Sequence, residues 1–239
     1  MARPPLVAGG AEAFADLAAG TIAGEINRAV RQRGTCALML AGGSTPAPVY
    51  ARLSSDDHAA LVPWEKVIVY FGDERCVPPD DPASNYAMAR RALLDRLAEP
   101  PAKVHRMPGE AADRDRAAAD YAALLPGRVD VLLLGMGPDG HTASLFPGMG
   151  ALGEHEKRVV AVQAPRPPRW RLTITPPVIQ AARAVIVLVS GAGKAAMVAR
   201  VLEGGDGAEL LPARLARDAL WIVDEGAASA LNPRGRKYP

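Results

Sequence analysis

The chain has 239 residues, 49% of them hydrophobic and 23% charged, with a formal net charge of +2. That content supplies a globular core, and the near-balanced charge carries no footprint of nucleic acid or of an anionic membrane surface. Two cysteines, Cys36 and Cys76, make neither a disulfide framework nor a metal spacing, which points to a reducing compartment.

Residues 1–20 hold a short apolar stretch that soon meets Glu12 and Asp16, unlike a signal peptide, so a cytoplasmic location is expected. Phe14, Leu17, Ala18, Ile22, Ile26 and Val30 follow helical spacing over 11–32, and Gly34 closes the helix. CALML (36–40) reads as a strand and AGGSTPAP (41–48) as a loop, with Thr45 as N-cap and Pro46 opening a helix to Leu53. KVIVYFG (66–72) is a buried strand ending at Asp73-Glu74-Arg75, and 76–85 is a proline-rich loop. Ser84 then caps a helix to about residue 98.

VHRM (104–107) reads as a short strand and 110–125 as a charged helix. The apolar run Val131-Leu132-Leu133-Leu134 predicts a strand buried on both faces of a parallel sheet. VVAVQ (159–163) and WRLTIT (170–175) read as strands, 176–183 as a helix, and AVIVLVSG (184–191) as another buried strand. A helix over 193–204 and a last strand at 219–223 complete the pattern, and the polar tail after Leu231 is expected to fray. No repeat or long linker interrupts it. The expectation is one α/β domain over 1–239, a single doubly wound, mostly parallel sheet flanked by helices. No run reaches membrane-spanning length.

A parallel sheet delivers its strand ends to one edge, where ligands of open α/β folds bind. Four polar loops fall there: Gly42–Thr45, Asp73–Arg75, Asp139–His141 and Ser190–Lys194. Gly42-Gly43-Ser44-Thr45 before a helix start suits a phosphate, or is a plain tight turn. Ser190-Gly-Ala-Gly-Lys194 puts a cation where the helix dipole disfavours one, which a bound anion would explain; a surface lysine is the alternative. It is not the nucleotide phosphate loop, since Leu188 and Ala195 replace its first glycine and its hydroxyl residue. Arg171, inside an apolar strand, is either an edge residue or an anion ligand.

Gly135-Met-Gly137-Pro-Asp-Gly140 matches the dinucleotide fingerprint, but Pro147-Gly148 leaves no room for the long helix that motif needs. His141 is the sharper candidate, a base that could take a proton from water. Asp139 either orients it or caps the turn. His58, His105 and His155 sit in polar surroundings and read as surface residues.

LAGGSTP (40–46), FGDER (71–75), PDDPASNY (79–86), LLGMGPDGHTASLFPG (133–148), RLTITPP (171–177) and SGAGKA (190–195) together resemble the 6-phosphogluconolactonases, in order and over almost the whole chain. GGSTP is shared with the related glucosamine-6-phosphate deaminases. The resemblance implies hydrolysis of 6-phosphoglucono-δ-lactone without metal or other cofactor. It implies that His141 activates water, that Asp139 assists, and that Ser44, Thr45, Arg171 and Lys194 bind substrate and phosphate. Asp73 and Arg75 would line the cleft. A small sugar phosphate is then the expected partner, with no nucleic acid and no membrane. A deaminase on the same fold and a non-catalytic sugar-phosphate sensor are the alternatives. Against the first stands Phe146, at the position where deaminases of this fold need an acid five residues after the histidine.

Overall fold

The computed structural model describes residues 3–233 and 237–238. β1 (Leu6–Ala8) leads into α1 (Gly10–Arg33), whose buried stripe of Phe14, Ala18, Ile22 and Ile26 follows the expected spacing. Gly34 ends it in the left-handed conformation. β2 (Cys36–Leu40), α2 (Pro46–Leu53), α3 (Asp56–Ala59), β3 (Val67–Phe71) and β4 (Asp73–Arg75) follow. Next come α4 (Asn85–Ala92), β5 (Lys103–Val104), α5 (Arg114–Leu124) and β6 (Val131–Gly135). β7 (Val159–Gln163), β8 (Trp170–Ile174), α6 (Pro176–Ala181), β9 (Ala184–Val189), α7 (Ala195–Glu203), β10 (Leu220–Asp224) and α8 (Glu225–Ala228) complete the order.

Seven strands form one sheet in the order β1-β10-β9-β6-β2-β3-β5, every pair parallel. β2 is buried throughout, as is β6 up to Gly135, which explains their unbroken apolar sequences. From β2 the chain steps outward to β3 and β5. It then returns to the other side of β2 with β6 and moves on to β9 and β10. The direction reverses between β2 and β6, so a crevice opens beyond their carboxyl ends. The loops after β2 and β6 carry Gly42–Thr45 and Asp139–His141.

The mostly parallel α/β architecture agrees with expectation, but not every strand joins the main sheet. β4, β8 and β7 form a separate three-stranded antiparallel sheet. The link between β7 and β8 is six residues, 164–169, too short for a parallel crossover. The only topology left to it is a hairpin. Gly72 joins the two sheets: its N–H donates to Leu40 O at 2.9 Å, and its carbonyl accepts from Ile174 N at 2.9 Å.

Several local expectations change. The helix after Ser84 stops at Ala92, because Leu93 leaves helical geometry before a single 3₁₀ turn. The helix at 110–125 begins only at Arg114, where the Asp113 side chain accepts from Arg116 N–H. The tail is not wholly frayed: Val7 N–H donates to Lys237 O at 2.8 Å and Lys237 N–H to Pro5 O at 3.1 Å. His58 is largely enclosed rather than superficial, its Nε2 3.7 Å from Asp16. Among the described residues no helix is long and apolar enough to cross a membrane.

Candidate active site

All ten residues singled out from the sequence line or adjoin one cavity of about 280 Å³; Asp139 alone stands behind its wall, joined to it through His141. The histidine Nδ1 lies 2.5 Å from Asp139 Oδ1, and the same oxygen accepts from His141 N–H at 3.2 Å. Burial pushes the Asp139 carboxyl upward, but the adjacent imidazole and its hydrogen bonds outweigh burial and hold it below its ordinary value. An ionised carboxylate only accepts, so Nδ1 carries the proton and Nε2 is left as the basic nitrogen. Asp139 therefore orients the imidazole.

The backbone makes room for this pair. A Cβ on Gly137 would lie 2.1 Å from the His141 ring and 2.8 Å from Asp139, so only glycine fits. Thr142 Oγ1 ties the loop back to Gly135 O at 2.8 Å, and Gly137 N–H donates to His141 O at 2.9 Å. Phe146 packs on the imidazole with ring centroids 4.7 Å apart. No helix starts after Gly140: the chain turns through a Thr142–Leu145 bridge. The dinucleotide fingerprint therefore lacks the helix N-terminus on which pyrophosphate would rest.

Cations cluster along the same cavity. Arg75 and Arg171 are register partners across β4 and β8. Arg75 Nη1 donates to Ala83 O at 2.5 Å and Arg171 Nε to Pro168 O at 2.9 Å, while Arg75 Nε is buried without a partner. Burial, and then the neighbouring Arg75 charge, pulls the Arg171 guanidinium below its usual value. Burial does the same to Lys194. Among the described residues no ion pair engages Arg75, Arg171 or Lys194. Half-buried cations held without carboxylate partners have the chemistry to receive an anion.

Thr45 stands at the start of α2 as expected, but it is already helical and its hydroxyl makes no cap. Its Oγ1 turns instead toward the other loop, 3.3 Å from Ser190 Oγ and 3.4 Å from Lys194 Nζ. Lys194 sits one residue before α7 rather than inside its first turn. The Gly191 N–H of that loop is already taken by both oxygens of Asp224, at 3.0 and 2.9 Å.

Sequence reasoning missed a second tier of buried polar groups. Asp73 Oδ2 accepts from Ser144 Oγ at 2.7 Å and Oδ1 from Asn85 Nδ2 at 3.1 Å. Glu74 points away from the cavity and accepts from Arg75 N (2.7 Å), Asn85 N (2.7 Å), Tyr86 N (2.8 Å) and Ser84 Oγ (3.0 Å). Burial still raises its carboxyl above the ordinary range against the pull of these four bonds. Asn85 and Ser144 stand inside the quoted motifs, which were the available signal. Among the described residues no group of three or more His, Cys, Asp or Glu side chains is arranged to hold a metal ion.

A family model described as glucosamine-6-phosphate isomerases/6-phosphogluconolactonase matches residues 9–222. The 6-phosphogluconolactonase of Mycobacterium tuberculosis is 41% identical over 226 residues, covering 88% of this chain and 91% of that protein. The structure of 6-phosphogluconolactonase from Trypanosoma brucei superposes with a TM-score of 0.84 at 32% identity, covering 97% of this chain and 100% of that one. A monomeric glucosamine-6-phosphate deaminase, 24% identical, shares the fold with a TM-score of 0.82 over 95% of this chain and 99% of its own. The match of the family model to most of the chain and the close identity of long relatives agree with the cleft at the sheet's switch point: this chain belongs to the glucosamine-6-phosphate isomerase/6-phosphogluconolactonase family.

Proposed function

We propose that this cleft hydrolyses 6-phospho-D-glucono-1,5-lactone to 6-phospho-D-gluconate, the second step of the oxidative pentose phosphate pathway, in the cytoplasm and without a cofactor. The observation that carries the reading is a carboxylate-oriented imidazole facing the same cavity as three cations that no carboxylate among the described residues pairs with. His141 Nε2 takes a proton from water as the water oxygen bonds to the lactone carbonyl carbon. The tetrahedral intermediate then expels the ring oxygen, which receives that proton from the imidazolium and becomes the C5 hydroxyl. Asp139 stabilises the transient charge on His141. A δ-lactone is an activated ester, so one oriented base and a polarised carbonyl suffice. Ser44, Thr45, Arg171 and Lys194 hold the phosphate end, and Gly42 and Gly43 let the backbone come close to it. Asp73 and Arg75 face the sugar.

The related deaminase reaction needs a further acid beside the histidine. Here Phe146, packed on the imidazole, fills that place and cannot exchange a proton. A sensor would have no use for an oriented general base. The test is lactone hydrolysis, corrected for the spontaneous rate, beside an ammonia-release assay on glucosamine 6-phosphate. His141→Asn is expected to lower kcat by roughly 10²–10⁴ with little change in KM, and the wild type to release no ammonia above background. Near-normal turnover by a folded His141→Asn protein would remove the histidine from the mechanism. Robust ammonia release would overturn the lactonase assignment.

A further inference from the structure

Three of the cleft's walls meet at one carboxylate. Asp73 is 7% exposed and lines the cavity from β4. Ser144, from the loop that carries His141, donates to its Oδ2 at 2.7 Å. Asn85, the first residue of α4, donates to its Oδ1 at 3.1 Å and to its backbone carbonyl at 2.9 Å. Both donors are themselves fixed. Ser144 is 1% exposed, and its N–H donates to Thr173 Oγ1 at 3.1 Å. The Asn85 side chain occupies the space where a Cβ on Gly42 would fall, at 2.0 Å, so the glycine loop closes over it.

An ionised carboxylate has about four acceptor positions and no proton to give. Two are filled by Ser144 and Asn85, and because Asp73 lines the cavity the rest can be met by a ligand there. A ligand group meeting them must be a donor. The lactone's phosphate and carbonyl are acceptors, whereas its C2, C3 and C4 hydroxyls can donate. We infer that Ser144 and Asn85 are positioning residues that hold Asp73 as the acceptor for one ring hydroxyl of the substrate, selecting a polyhydroxylated lactone. This rests on the lactonase reading of the cleft. Ser144 does not line the cavity, so its influence on substrate passes through the aspartate.

The test measures kcat and KM for wild type, Ser144→Ala and Asn85→Ala on the parent lactone and on its 2-, 3- and 4-deoxy analogues. Ser144→Ala is expected to lose roughly tenfold in kcat/KM on the parent, the scale of one hydrogen bond to a charged group. One deoxy analogue should show a comparable loss with the wild type, and Ser144→Ala should add nothing to it. The other two analogues should show the Ser144→Ala loss in full. Asn85→Ala, acting on the opposite oxygen, should single out the same hydroxyl, which keeps the test alive should Ser144→Ala fail to fold. Equal further losses on every analogue, or unchanged kcat/KM in both folded variants, would overturn the inference. A wild type inactive on the parent lactone would instead fail the lactonase reading itself.

Discussion

Most of the cavity-lining residues were legible because they follow apolar strands, where a charged group has a sheet edge to occupy; Arg171, inside β8, was legible as a charge within an apolar run. Their partners were not. Nothing in the local sequence says that Thr45 leaves its helix uncapped to face Lys194, since the two lie far apart in the chain and meet only through the parallel sheet. The cations carry a prediction at this scale. Arg171 and Lys194 stand half-buried, their pKa values depressed by burial, with no protein carboxylate paired to them among the described residues. An anion would supply the missing charge, and remote binding of a phosphate helps position the reacting end. Arg171→Ala and Lys194→Ala should each reduce kcat/KM on 6-phosphogluconolactone far more than on unphosphorylated gluconolactone. Matched losses on the two substrates would assign these residues to stability or to the chemical step.

At the scale of elements, long helices and buried strands were readable from period and length. The failures were short or non-local. β1 has three residues, too few to show a pattern, and the separate antiparallel sheet went unread, although the six-residue link 164–169 between two of its strands was the signal that could have shown it. Glu74 shows what joins such pieces. It lies at the middle of β4, and its carboxylate receives the first two N–H groups of α4, where the helix dipole favours negative charge. Ser84 caps the same helix by accepting from Ala87 N–H at 3.1 Å. Glu74→Ala would leave four buried or half-buried donors without their acceptor. Its stability in urea denaturation should fall by about 3–5 kcal/mol, with an Asp73–Asn85 contact too loose to sustain normal kcat/KM. A loss below about 1 kcal/mol would show that water replaces the carboxylate.

At the scale of the whole molecule, the parallel sheet has two open sides. One is β5, only two residues long and bearing the charged Lys103. The other is β1, against which the strand-like contact of Lys237 lies, hydrogen-bonded to Pro5 and Val7. Unpaired strand backbone invites another chain to add to it, and short, charged or covered edges resist that addition. The Lys237 backbone covers the β1 edge, at the side of the sheet remote from β5, and is expected to hinder addition of another chain there. Deleting residues 232–239 should leave kcat/KM of the unaggregated fraction intact while raising aggregation, read by light scattering during incubation at moderate temperature. A truncated protein that scatters no more light than the full chain over the same incubation would show that β1 protects itself. The residues that keep this enzyme soluble and those that make it a catalyst would then be separable by a single stop codon.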